Sequence, residues 1–124
     1  MIIGIGTDLI EVERINKQLA KDLGFKERVF TDNEIKYCDQ KKFNAQNYAA
    51  RFAAKEAFFK AIGSGWRGGM AFREIEVIND DLGKPGIILH GKVKNYVNKL
   101  GVLRVHVSLT HIKEVASAMV ILEK

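Results

Sequence analysis

The sequence predicts an α+β fold in a single domain spanning residues 1–124, with an N-terminal strand, early helices and a mostly antiparallel sheet. Three observations predict it. The chain opens on the β-branched run Ile2, Ile3 and Ile5 set among glycines. Apolar residues then recur at helical spacing as far as Ile62, and beyond Phe72 the pattern changes to strand-like alternation broken by turn residues.

Residues 1–7 read as the first strand. Leu9, Val12, Ile15, Leu19 and Leu23 then share one helical face, and Gly24 is placed to end that helix. Thr31-Asp32-Asn33-Glu34 is a capping-box pattern that starts a second helix. Residues 47–62 contain no proline or glycine, and Ala50, Ala54, Ala57 and Ala61 give this central helix a flat face for close packing. A glycine-rich loop follows at 63–69. Residues 72–78 and 86–90 read as a hairpin around the turn residues of 79–85, with a helix over 92–99 after it. In the strand at 104–109, Val105, Val107 and Leu109 share one face, with His106, Ser108 and Thr110 opposite. Residues 115–122 form the last strand. No internal repeat or low-complexity tract interrupts the chain.

With 124 residues, 47% hydrophobic and 28% charged, the composition is that of an ordinary globular protein large enough to bury a core without staples. One cysteine, Cys38, excludes an internal disulfide and fits a reducing compartment. No secretory signal pattern or bilayer-length apolar run is seen, so a cytoplasmic protein without membrane association is expected. The net charge of +5 calls for an acidic partner or ligand, for which nucleic acid, a nucleotide cofactor and an acidic protein all qualify.

Several residues carry two readings. Asp8 with Glu11 has capping-box spacing, and spacing alone favours the cap; the other reading is a metal ligand at a strand-to-helix turn. Glu56 and Lys60 stand at i and i+4, as a surface ion pair would. Arg51, Lys55 and Lys60 on the same helix are solvated cations or phosphate contacts. The glycine loop lets backbone approach a phosphate, and its Gly65-Trp66-Arg67-Gly68 segment also has the GxxG form of a nucleic-acid-binding loop. His106 and His111 have the spacing of half a zinc finger, but a single distant cysteine argues against zinc. Arg14, Lys17 and Lys21 make a basic stripe on the first helix. These residues alone support a basic α+β domain with a phosphate site. A small nucleic-acid-binding protein is the alternative; interspersed acids such as Glu11, Glu13, Asp22 and Glu27 and the lack of an aromatic stacking platform weigh against it.

Gly4-Ile5-Gly6-Thr7-Asp8-Leu9 with Arg14-Ile15, and Arg51-Phe52-Ala53-Ala54-Lys55-Glu56-Ala57, resemble the two main motifs of the holo-[acyl-carrier-protein] synthases. Lesser matches follow in order: Gly63-Ser64-Gly65 with Trp66-Arg67, Asn79 with Gly83-Lys84-Pro85, and His106-Val107-Ser108-Leu109-Thr110-His111. The resemblance runs over essentially the whole chain. It implies transfer of 4′-phosphopantetheine from coenzyme A to a serine of apo-acyl carrier protein, leaving 3′,5′-adenosine bisphosphate, in fatty acid biosynthesis. It further implies Mg²⁺ held by Asp8 and Glu56, with Lys60 joining them in catalysis. Coenzyme A contacts are implied at Arg51, Lys55, Lys60, Ser64, Gly65, Lys84, Pro85, His106, Ser108 and His111. Arg14 matches the family's carrier-facing arginine, and helical spacing extends that surface to Lys17 and Lys21. The larger relatives carry a further carboxylate where this chain has Ile10, which places it with the small type and implies a homotrimer with sites at subunit interfaces.

Overall fold

The structure is a computed structural model that describes residues 1–63 and 69–124. Its elements are β1 (Ile2–Glu11), α1 (Val12–Lys21), α2 (Phe25–Val29), α3 (Asp32–Asp39), α4 (Asn44–Ile62), a 3₁₀ turn at Phe72–Glu74, β2 (Ile75–Asn79), β3 (Pro85–Leu89), α5 (Gly91–Lys99), β4 (Arg104–His111) and β5 (Val115–Glu123). The expected α+β class holds. The strands do not form a single sheet, however. β2 and β3 make a separate hairpin, while β1, β5 and β4 form an antiparallel sheet with β5 central.

The first strand is longer than the sequence predicts. Pairing with β5 continues through Asp8↔Ala118 and Ile10↔Ala116 to Glu11↔Val115, so ladder hydrogen bonds hold the backbone extended where local pattern favours a helix start. Asp8 is therefore a strand residue and caps nothing. α1 begins four residues later at Val12, and its N-cap residue Glu11 makes no side-chain cap bond. α1 ends on Asp22 in the left-handed region at φ 51°, and Gly24, at φ 87°, opens the short α2, which the sequence reading did not anticipate. The capping box at the start of α3 forms as expected, with Glu34 N donating to Thr31 Oγ1 and Thr31 N to Glu34 Oε1.

α4 is the hub of the fold. Its alanine face packs against β1 and β5, while Tyr48, Phe58 and Phe59 are buried on its other sides. The two glycines of the opening motif permit the closest part of this packing. A Cβ on Gly6 would run into the Ala57 backbone, and one on Gly4 into the carbonyl of Ala61. The other face of the sheet is open and partly apolar, with Ile5 63% and Leu9 70% exposed and Met119 beside them. Among the described residues no helix is long and apolar enough to cross a membrane.

Candidate active site at the crossing of β1 and α4

Strand alternation places Gly4, Gly6, Asp8 and Ile10 on the face of β1 that meets α4, with the odd-numbered residues outward. On α4, Phe52, Glu56 and Lys60 recur every four residues and form one row. The two rows meet where the glycines let strand and helix approach. Side chains on a helix lean toward its N-terminus, so the Lys60 stem runs back along the Glu56 turn. Its ammonium reaches β1, donating to Asp8 Oδ1 and to the Thr7 carbonyl, each at 3.1 Å. The local Glu56–Lys60 pair expected from spacing is thus replaced by a tertiary one. The Asp8 backbone is fixed in turn by Ser117 Oγ, which donates to its carbonyl at 2.9 Å.

Glu56 completes the group. Burial and the neighbouring Asp8 charge raise its pKa, and the Lys60 cation partly offsets both. Among the described residues no group of three or more His, Cys, Asp or Glu side chains could hold a metal, so any ion here would rest on two carboxylates and outside oxygens.

The structure separates the other predicted phosphate cations from this group. Lys55 is fully buried, and its ammonium donates to Glu34 Oε1 at 2.8 Å and to the carbonyls of Phe72 and Ile75. An ammonium with three internal acceptors and no exposed surface has nothing left for a phosphate, which corrects the expected coenzyme A contact. Arg51 is 3% exposed, lies 4.2 Å over the Tyr37 ring and donates to Asn79 Oδ1. Asn79 Nδ2 donates to the Gly83 carbonyl, so Arg51 braces the β2–β3 turn from inside and is likewise not a surface cation. Lys84 stands exposed on that turn, its N–H donating to Asp80 Oδ1, and Pro85 begins β3. Ser64 and Gly65, with Trp66, lie outside the described residues.

His106 and Ser108 are on edge strand β4, in register with Ile121 and Met119 of β5. They therefore share the open sheet face with Ile5 and Leu9, across the sheet from Glu56. His106 is engaged by Glu123 at 3.0 Å, a contact that holds the Glu123 carboxyl below its ordinary pKa. His111, at the end of β4, is exposed opposite Ala116.

Arg14, Lys17 and Lys21 line a cleft of about 680 Å³ with Ile10, Ile15, Phe25 and Phe52. It adjoins the carboxylates, because Ile10 follows Asp8 on the same strand face and Phe52 precedes Glu56 by one helical turn. Phe25 and Phe52, with ring centres 6.0 Å apart, form its apolar floor. Sequence reasoning found the basic rim and missed this floor, because Phe25 belongs to the unanticipated α2.

The pattern of the 4′-phosphopantetheinyl transferase superfamily matches residues 4–116, which include every described residue of this site except those near the C-terminus. The chain belongs to that superfamily. It is 47% identical to the holo-[acyl-carrier-protein] synthase of Syntrophus aciditrophicus, over 99% of this chain and 97% of that one. It is 42% identical to the synthase of Geotalea daltonii over the full length of both. Among solved structures, the holo-[acyl-carrier-protein] synthase of Neisseria meningitidis superposes with a TM-score of 0.92 at 37% identity, covering all of both chains. The Bacillus anthracis synthase, solved in complex with coenzyme A (3′,5′-ADP), gives 0.82 at 42% identity over 100% of this chain and 98% of that one. The phosphopantetheinyl transferase chain thus has its Asp8–Lys60–Glu56 group within a fold that relatives share from end to end.

Proposed function

We propose that this protein transfers the 4′-phosphopantetheine group of coenzyme A to a serine of apo-acyl carrier protein, in the cytoplasm and in the service of fatty acid biosynthesis. The convergence of Asp8, Glu56 and Lys60 at the β1–α4 crossing carries the reading. Two close carboxylates with no third protein ligand suit Mg²⁺, a hard cation that keeps positions for water and substrate phosphates. Asp8 and Glu56 would hold it, and when bound it supplies charge neutralisation to the coenzyme A pyrophosphate.

The serine oxygen attacks the β-phosphorus. A serine O–P bond forms, the bond from that phosphorus to the bridging oxygen breaks, and 3′,5′-adenosine bisphosphate leaves. Glu56 would receive the serine proton, directly or through a water. Lys60, 56% exposed at its side chain, can turn toward the phosphates. Ser64, Gly65, Lys84 and Pro85 remain proposed coenzyme A contacts.

The carrier protein is assigned to the basic cleft. Arg14, Lys17 and Lys21 offer charge to an acidic helix, while Phe25 and Phe52 offer it an apolar seat beside the carboxylates. A homotrimer accounts for the placement of His106, Ser108 and His111. Ile5, Leu9 and Met119 give the open sheet face the apolar character of an interface, and through it a neighbouring subunit could bring β4 to the carboxylates.

The deciding experiment is mass spectrometry of apo-acyl carrier protein incubated with the protein, coenzyme A and Mg²⁺. A phosphopantetheine mass gain is expected, abolished by EDTA and by Asp8→Asn or Glu56→Gln in proteins that keep their fold. No gain with a cognate carrier, or full activity in both variants, refutes the assignment.

A further inference from the structure

We propose that Lys60 is a resident counter-charge that a divalent cation must displace, and that this exchange makes metal and nucleotide bind with positive coupling. The inference rests on the two-carboxylate reading above. It concerns what the site does before substrate arrives. Two carboxylates near one another repel, and the structure answers this with the Lys60 ammonium, bonded to Asp8 Oδ1 and the Thr7 carbonyl at 3.1 Å each. The Asp8 side chain is only 16% exposed, so few directions of approach to its oxygens remain, and Lys60 occupies one of them. A cation bound by Asp8 and Glu56 competes with the ammonium for the same oxygen and is repelled by it at close range.

Lys60 is built to yield. Its side chain is 56% exposed on a flexible stem. On leaving Asp8 it needs another anion, and the phosphates of a nucleotide at this site supply one. Nucleotide therefore removes the competitor as well as adding oxygen ligands, and linkage requires that metal tighten nucleotide binding by the same factor. Loading of the site is then cooperative.

The test is Mn²⁺ binding to the full chain, read from the electron paramagnetic resonance signal of the free ion. It compares wild type with Lys60→Met, with and without adenosine 3′,5′-bisphosphate, at low and high salt. Without nucleotide, Lys60→Met is expected to bind Mn²⁺ about two- to fivefold more tightly, the scale of one partly exposed ion pair. The gain should survive high salt, because direct competition is not screened as a distant field is. The nucleotide should then improve Mn²⁺ affinity less in the variant than in wild type. Equal or weaker Mn²⁺ binding by Lys60→Met overturns the inference, as does a gain that vanishes at high salt. Mn²⁺ binding by wild type that Asp8→Asn leaves unchanged locates the fault in the two-carboxylate reading itself, and the inference falls with it.

Discussion

Lys55→Met should destabilise the protein severely while touching nothing in the proposed site. The ammonium joins three elements. It bonds Glu34 on α3, the Phe72 carbonyl in the 3₁₀ turn and the Ile75 carbonyl on β2, all with no solvent exposure at the lysine. Methionine keeps most of the stem volume, so little cavity forms and the loss is electrostatic. Removing one member of a buried pair costs about 3–5 kcal/mol, since the remaining charge stays buried. Glu34 keeps donors at Thr31 N and Val77 N, which puts the expected loss near the lower end, about 3 kcal/mol. In urea unfolding followed by circular dichroism this is a midpoint shift of about 1–3 M with little change of slope. The double variant Lys55→Met/Glu34→Gln should lose less than the sum of the single losses, because it leaves no orphaned charge. A loss below about 1 kcal/mol, or strict additivity in the double variant, would refute the buried-pair account. Normal stability with a raised KM for coenzyme A would restore the phosphate contact read from the sequence.

Three further outcomes are expected. Gly6→Ala should push β1 away from the Ala57 carbonyl, costing about 1–3 kcal/mol in a thermal or urea melt. It should also slow transfer by about a hundredfold through misplacement of Asp8 against Glu56, measured as kcat on apo-acyl carrier protein. Leu9→Arg, at a side chain 70% exposed on the open sheet face, should convert the proposed trimer to a species of one chain's mass in analytical ultracentrifugation. Glu76 sits in a buried position that raises its pKa, but bonds from Thr31, His90 and Asn33 outweigh burial and hold it below its ordinary 4.5. A depressed carboxylate stabilises the fold above 4.5, and the contribution is lost as pH falls through the folded value. Glu76→Gln should therefore be less stable than wild type at neutral pH and lose less stability than wild type in acid, measured by urea midpoints across that range.

Local signals were legible where local forces decide. The Thr31–Glu34 box, the alanine face of α4 and the alternation of β4 all appear in the structure because side-chain capping and burial period are properties of neighbouring residues. Asp8 was ambiguous for a different reason. Asp8 and Glu11 do have cap spacing, yet pairing with β5, more than a hundred residues away, keeps that segment extended. The glycines at 4 and 6 were the signal that could have resolved it. Two glycines on one face of a strand, facing a helix with alanines four apart, mark a close strand–helix crossing that must continue through Asp8. α2 left no such trace, being five residues long and too short to show a period.

The charged residues of α4 show most clearly what spacing does not decide. Arg51 and Lys55 are one helical turn apart, as are Glu56 and Lys60, and the two pairs occupy adjacent rows of the same helix. By spacing alone either row could face solvent. Their fates are set by what covers each row. α3, Tyr37 and the β2–β3 hairpin close over Arg51 and Lys55, and the structure satisfies them with Glu34, Asn79 and backbone carbonyls. β1 meets the other row through Asp8 and Thr7, which accept from the Lys60 ammonium, and the Lys60 side chain stays 56% exposed. The buried row holds α3 and the hairpin in place around the helix, and the open row is free to take part in chemistry. A cation in the buried row can be replaced only at the expense of the fold, whereas Lys60 can leave Asp8 and return. Its exposed stem and carboxylate partner suit it to the exchange with a cation proposed above.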